Sequence, residues 1–524
     1  MNIPEIPASA HPSRPAAGEV RQALKEEPLP SDSFEAASGG PEVKLTILHT
    51  NDCHGYVDEH KPEGDEAITG GIARTASEIK KKRAENPEGT ITLDGGDFFD
   101  GGFYSKYTDG KIVSNAYHEI KPDAIALGNH DLSWGSKKFA SLAKEIGSPV
   151  VAANLTDLTE EKSLRAVKPY VLVERKGLKI GIVGITSKMT ANSSPEKGSV
   201  KIEEPLPSIE KYVTMLKNDE KADMVVLLSH LGYDKDREVA ESVKGIDVIV
   251  GSHSHTAMEK GEKVKDTLIV QAGGEGDYLG EVELVFNREK GTMVSCDARL
   301  MPITSKIEAD PQVEKILAPY MEKFRPLKEK VLAHTDEDLA MYDERVLPTN
   351  LTNLFVDAQK KDADLALSSM FSLRGGIPKG PITLGDLFEV YPFDNELIQV
   401  KTNGAGVLGY LETAFRDGYK GNYTLFSGLT LQYDRSLPEG ERITTVNYEG
   451  RDYPRKDFEK LTLRVNMDNY THRKSWFKTG TILKKYGKVF DVLKDYLQEN
   501  KSFKNISAEV RYHPVKDSPG SNGG

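Results

Sequence analysis

Leu45-Thr-Ile-Leu-His-Thr-Asn-Asp-Cys-His-Gly55 decides the fold: a short apolar and β-branched run, with Asp52 and His54 just beyond it. Such a run reads as a buried strand, and the polar residues after it as the loop at its carboxyl end. The arrangement returns four times. Thr90-Ile-Thr-Leu93 is followed by Asp94-Gly-Gly-Asp97, and Ala124-Ile-Ala-Leu127 by Gly128-Asn-His-Asp131. Val225-Val-Leu-Leu228 is followed by Ser229-His230, and Val248-Ile-Val250 by Gly251-Ser-His-Ser-His255. A sixth run, Ile180 to Ile185, and the amphipathic segments Gly71 to Glu85, Lys137 to Ile146 and Ile209 to Asn218 complete an α/β pattern with helices over the sheet faces.

In an open α/β sheet, sites form beyond the carboxyl ends of the strands, so these side chains converge there. One Asp or His after a strand is ordinarily a turn former; five such junctions in order point to a shared site. His49 precedes its strand end and reads as structural, as do His11, His60, His118, His334, His472 and His513. The remaining donors are oxygen and imidazole nitrogen, which suit zinc, manganese, iron or magnesium. Asp52, His54, Asp97, Asn129, His230, His253 and His255 are too many for one tetrahedral ion. Two ions sharing a carboxylate, about 3.5–4 Å apart as in hydrolytic two-metal sites, fit better.

The chain around this cluster has 524 residues, with 69 Lys and Arg against 81 Asp and Glu, a formal charge of −12. That length implies more than one domain. An acidic chain is a poor nucleic-acid scaffold, because phosphate contacts need clustered cations. The longest apolar run, Met224 to Leu228, is far too short for the roughly 20 residues of a spanning helix. Cys53 and Cys296 form neither a disulfide framework nor a Cys-x-x-Cys motif. The start of the chain lacks a basic region followed by an apolar one, so as written it reads as cytoplasmic, or as a mature form.

Composition divides the chain into a disordered tail at 1–41, a catalytic domain at 42–306, a helical linker at 307–331, a second domain at 332–513 and a frayed end at 514–524. Pro319 and Pro326 interrupt the charged helical pattern of the linker.

Asp52-x-His54, Gly96-Asp97, Gly128-Asn-His-Asp131, His230 and Gly251-Ser-His-Ser-His255 resemble the calcineurin-like metallophosphoesterase signature. Leu48 to Gly55 and the second domain narrow the resemblance to the two-domain 5′-nucleotidase family, over about residues 43 to 513. It implies an N-terminal metallophosphoesterase sandwich, two sheets flanked by helices, and a C-terminal α+β substrate-binding domain, with the substrate between them. It also implies one ion on Asp52, His54, Asp97 and His255, and a second on Asp97, Asn129, His230 and His253, with Asp97 as the bridge. His130, beside Asn129, would contact phosphate or aid the leaving group. One departure stands out: where the family often has an Asp partner for this histidine, the chain has Ser133. Weaker catalysis follows, or support for His130 from Asp131 or another group.

In the second domain, Ile377 to Asn395 (IPKGPITLGDLFEVYPFDN) resembles the family's substrate segment. The resemblance implies that Phe393 stacks on a nucleobase, with Asn395 near the base edge. The family's Asn-Gly-Gly-Gly-Ile-Arg stands here as Ser369-Met-Phe-Ser-Leu-Arg374; Arg374 survives, and Arg345 falls near a second family arginine. Tyr470 is the candidate for the other half of an aromatic clamp, but the ribose-binding Asp of the turn after it is replaced by a basic and aromatic stretch. Residues 451–504 carry 14 Lys and Arg against seven Asp and Glu, solvated helix faces or a field for a more anionic substrate. The expected activity is two-metal hydrolysis of phosphate monoesters, foremost 5′-nucleotides and with them 2′,3′-cyclic nucleotides. The rivals are a phosphatase for a non-nucleotide ester such as a sugar phosphate, and a binding protein that kept the fold without turnover. The family is often secreted, periplasmic or surface-attached.

Overall fold

The computed structural model describes residues 41–60, 68–341, 348–415, 424–472, 475–477, 479–506 and 508–515, with Phe371 and Tyr470 described in backbone only. Almost all of both expected tails therefore lies outside the described residues. The chain forms two compact units that divide between Phe324 and Arg325.

The N-terminal unit is built on two six-stranded sheets. The first runs, in spatial order, Thr292–Pro302, Tyr278–Asn287, Glu42–Thr50, Thr90–Asp94, Ala124–Ala126 and Val150–Val151. The second runs Glu262–Val264, Thr267–Val270, Val248–Val250, Met224–His230, Leu178–Thr186 and Tyr170–Arg175. The last four strands of the first sheet are mutually parallel, as are the middle four of the second, and antiparallel strands flank them. Parallel strands bring their carboxyl ends to one edge of each sheet, which positions the ligand-bearing loops together.

Side-chain alternation explains the layering. On Met224–His230, residues Met224, Val226 and Leu228 join Leu45, Ile47, Ile91, Leu93 and Ile182 in the apolar cluster shared by the sheets. Val225 and Leu227 pack the other way, against Ile209, Val213 and Leu216 of the helix Pro205–Asn218. Each such fully buried aliphatic side chain contributes roughly 1.5–3 kcal/mol. Period two then carries His230 to the inner face, where the strand runs out. The expected helices form at Ile72–Glu85, Ser136–Ile146 and Pro205–Asn218.

One expectation fails at the connector. Pro319 and Pro326 do not interrupt it: Pro311–Lys328 is a single helix, started by Asp310, whose Oδ1 accepts from the N–H groups of Gln312 and Val313. Lys315 and Pro319 are on the exposed side, so water can bond the carbonyl that the proline ring leaves without its N–H partner.

The C-terminal unit carries a five-stranded sheet in the order Thr424–Ser427, Leu365–Ser369, Thr462–Asp468, Glu396–Asn403 and Thr481–Lys488. A four-stranded and a three-stranded sheet accompany it. Helices Asn350–Lys360 and Leu384–Val390 both start with capping boxes, from Thr349 and Thr383. Val407, Leu408 and Leu411 pack on Leu365, Val400, Val465 and Phe477 in this unit's core.

Candidate metal centre

The five ligand-bearing loops meet at the carboxyl ends of the two sheets in the N-terminal unit. Two groups of donor atoms form there: Asp52, His54 and His255, and Asp97, His230 and His253, each group lying within 4.8 Å of itself. Asp97 joins them. Its Oδ2 lies 3.1 Å from Nε2 of His230 and 3.8 Å from Nε2 of His54. Asn129 enters the second group through Oδ1, 3.2 Å from His230 Nε2. All seven expected ligands are thus brought into one cluster. His255 is its exposed member, while Asp52, Asp97 and His230 are buried.

The loops are held by main-chain bonds. The N–H groups of Asp52, His54 and Gly55 donate to the carbonyls of Gly96, Asp97 and Phe98. The backbone takes left-handed φ at Asp52 (51°), His54 (45°), Asp97 (55°), His253 (73°) and His255 (52°). Left-handed backbone at a non-glycine residue costs about 1–2 kcal/mol, and five such positions in one cluster mark a site whose donor directions are imposed by the fold. Gly128 shows how tightly: a Cβ there would lie 2.1 Å from Asp97 Oδ1.

Ring orientation is fixed from outside the cluster. His54 Nδ1–H donates to the carbonyl of Asp100 at 2.9 Å, and His230 Nδ1–H to that of Gly95 at 2.8 Å, so both rings turn Nε2 inward. His54 Nε2 then faces His255 Nε2 at 3.2 Å. Asp52 accepts from the Asn51 amide (2.7 Å) and from His253 N–H (2.8 Å).

These contacts set the charges. Burial raises the Asp52 carboxyl to about 7. Burial also works to raise Asp97, but the imidazoles of His230, His130 and His54 hold it well below the usual carboxylate range. His230 is lowered by burial yet lifted to about 10 overall by the charge of Asp97. Burial lowers His54. Lone pairs of four imidazoles, two carboxylates and an amide oxygen converge. The donor set fits two borderline divalent ions, with Asp97 placed to serve both.

Around the ligands, some sequence expectations change. His130 lies at the rim, its ring edge-on to His54 at 5.1 Å between centroids, and its main-chain N–H donates to Asp97 Oδ1 at 2.7 Å. Asp131 does not support it. The Asp131 carboxylate turns inward and accepts from the N–H groups of Gly128, Asp97, Phe98 and Phe99, bracing the loop instead. The carboxylate facing His130 belongs to Asp100, with Oδ2 3.9 Å from Nδ1. Asp94 is also structural, its carboxylate accepting from Thr50, Tyr117 and Gly96. His49 is buried, with its imidazole lowered to about 4 by burial. Asn51, Asp100 and Ser252, whose hydroxyl donates to the Gly95 carbonyl at 2.7 Å, were not foreseen; their one sequence signal is a polar type one to three residues from a ligand.

In the C-terminal unit, Arg374 lies over the face of Phe393 at 4.5 Å, and Tyr391 meets its ring edge-on at 5.6 Å. Asn395 accepts a main-chain bond from Val489. Arg345 and the side chain of Tyr470 lie outside the described residues. No helix of the described residues is long and apolar enough to cross a membrane.

Comparison with known proteins agrees with this geometry. Residues 45–257 match the calcineurin-like phosphoesterase family, and residues 331–470 match the 5′-nucleotidase C-terminal domain. The trifunctional nucleotide phosphoesterase protein YfkN of Bacillus subtilis is 28% identical over 454 residues, 77% of this chain; the chain spans 30% of that longer protein. An apyrase of Tabanus yao is 28% identical over 457 residues, 79% of this chain and 81% of the apyrase. A crystal structure of a 5′-nucleotidase precursor from Thermus thermophilus shares the fold with a TM-score of 0.79 at 28% identity, covering 91% of this chain and 100% of that one. With both of its domains in the same order and its two His/Asp groups at the strand ends, the chain belongs to the two-domain 5′-nucleotidase family and is a hydrolase of the metallophosphoesterase type.

Proposed function

We propose that the protein hydrolyses phosphate monoesters, with nucleoside 5′-monophosphates as the leading substrates and 2′,3′-cyclic nucleotides as a further class. One observation carries this: two groups of oxygen and imidazole donors, joined at Asp97, at the carboxyl ends of the parallel strands of two mixed sheets. Asp52, His54, Asp97 and His255 would hold one ion, and Asp97, Asn129, His230 and His253 the other. When bound, such ions supply Lewis-acid charge for phosphoryl oxygens and lower the pKa of water.

The remaining work falls to the chain. Gly95 and Asp100 keep the imidazoles of His230 and His54 in the tautomer that offers Nε2 inward. Asn51 and the His253 N–H orient Asp52. His130, at the rim, contacts the ester. Nucleotides are favoured by the Phe393 face with its guanidinium neighbour, a surface suited to any base. The names of the relatives, a nucleotide phosphoesterase, an apyrase and a 5′-nucleotidase, point the same way.

A second reading, a phosphatase for a non-nucleotide ester such as a sugar phosphate, draws on Ser369 to Leu373, where bulky side chains stand in place of an Asn and glycines. The test is phosphate release from nucleoside monophosphates, cyclic nucleotides and sugar phosphates with manganese or zinc. Nucleoside monophosphates should turn over fastest. If they are inert while sugar phosphates react, the nucleotide assignment fails and the two-ion assignment stands. Release from none, with two ions bound, leaves the binding-protein reading.

A further inference from the structure

We infer that Asp100 is the positioning residue for His130, supplying from a different loop the carboxylate absent at Ser133. The inference rests on the phosphoesterase reading above. The His130 side chain is 35% exposed, and its ring meets that of His54 edge-on at 5.1 Å between centroids. On its own turn, Ser133 donates its N–H to the His130 carbonyl at 2.9 Å, and the Asp131 carboxylate is committed to four main-chain N–H groups. Asp100 places Oδ2 3.9 Å from His130 Nδ1.

The main chain that bears that carboxylate is anchored. The carbonyl of Asp100 accepts the His54 Nδ1–H at 2.9 Å, and Gly102 N–H donates to the His54 carbonyl. A Cβ on Gly101, at φ 144°, would lie 2.7 Å from the His54 carbonyl oxygen. One residue thus orients a ligand through its main chain and faces His130 through its side chain. A separation of 3.9 Å exceeds a direct hydrogen bond of about 2.7–3.2 Å. Catalytic contacts are commonly long before substrate binds and tighten in the complex, here by rotation of the Asp100 side chain.

Holding Nδ1–H toward Asp100 directs Nε2 at the ester. As the bond from phosphorus to the leaving oxygen breaks, Nε2–H passes its proton to that oxygen, and an alcohol departs. The oxygen of water makes the new bond to phosphorus, and the proton it sheds restores Nε2–H through solvent.

The test uses the full chain loaded with manganese, as parent, Asp100→Asn, Ser133→Asp and the double variant. The probes are phenyl phosphate and p-nitrophenyl phosphate, whose leaving group departs as the more stable anion. Asp100→Asn should keep two bound ions, since the main-chain contact to His54 remains. It should lower kcat on phenyl phosphate about 10- to 100-fold with KM within about twofold, and change p-nitrophenyl phosphate far less. Adding Ser133→Asp should restore most of the loss. In crystals, the His130 ring should hold one rotamer in the parent and spread over several in Asp100→Asn. Unchanged kcat on phenyl phosphate, or equal loss on both esters without recovery in the double variant, overturns the role for Asp100 alone. A parent that binds two ions and hydrolyses neither ester overturns the phosphoesterase reading with it.

Discussion

The two units commit side chains to chemistry in opposite ways. In the N-terminal unit, five of the candidate ligands sit on left-handed backbone, two imidazoles are aimed by carbonyls, and Gly128 leaves no room for a methyl group. In the C-terminal unit, Phe393 is half-buried and Arg374 exposed, and neither has a positive φ. The contrast follows from what each surface has to recognise. A metal centre needs a few donor atoms at fixed points, and strain is tolerated to place them. A stacking surface needs a π face, which Phe, Tyr or Trp supplies from many backbones. Substrate choice can therefore change while the catalytic cluster stays intact.

The comparison breaks first at Asp97. If one carboxylate serves both groups, Asp97→Asn should lower kcat at least ~10³-fold and leave fewer than two ions per chain by elemental analysis. Two retained ions with near-parental turnover would remove Asp97 as the shared ligand, and the tightly determined centre with it. Phe393→Ala should act more gently. Losing one stacked base is worth about 1–3 kcal/mol, roughly fivefold to 150-fold in kcat/KM for a nucleoside monophosphate, carried by KM. Hydrolysis of p-nitrophenyl phosphate should hardly move. Equal losses on both substrates would mean that Phe393 supports the fold and not a base.

Legibility in the sequence follows the same division. The strand runs and the donors after them could be read because period-two burial and ligand chemistry both restrict residue type: Met224, Val226 and Leu228 face inward, and His230 continues that face. Asp100 and Asp131 could not be assigned, because in a loop no period says which way a carboxylate points. Asp131 turned to four main-chain N–H groups, and Asp100, three residues past a ligand, turned to His130. Pro319 and Pro326 misled through the usual helix rule, which gives way where the unbonded carbonyl faces water.

The smallest expected effect tests whether the N-terminal unit tolerates burial of polar groups away from the centre as well. The C-terminal unit buries Glu412 with a guanidinium opposite, its Oε1 accepting from Arg455 at 2.5 Å and from Ile443 N–H at 2.8 Å. The N-terminal unit buries Asp236 with the Ser229 hydroxyl on Oδ1 at 2.5 Å and, among the described residues, no hydrogen-bond partner on Oδ2. Burial raises Asp236 from 3.8 to about 8. Between those values the folded chain keeps a proton that the unfolded chain has released, so stability from this group is full below about pH 4 and is lost as pH rises toward 8. Asp236→Asn keeps the shape and cannot ionise. Its Tm, measured in chelator, should gain on the parent as pH rises from 5 to 8. A Tm difference that stays flat across that range would show Asp236 ionised in the folded chain, and the N-terminal unit would then bury an unpaired charge where the C-terminal unit buries an ion pair.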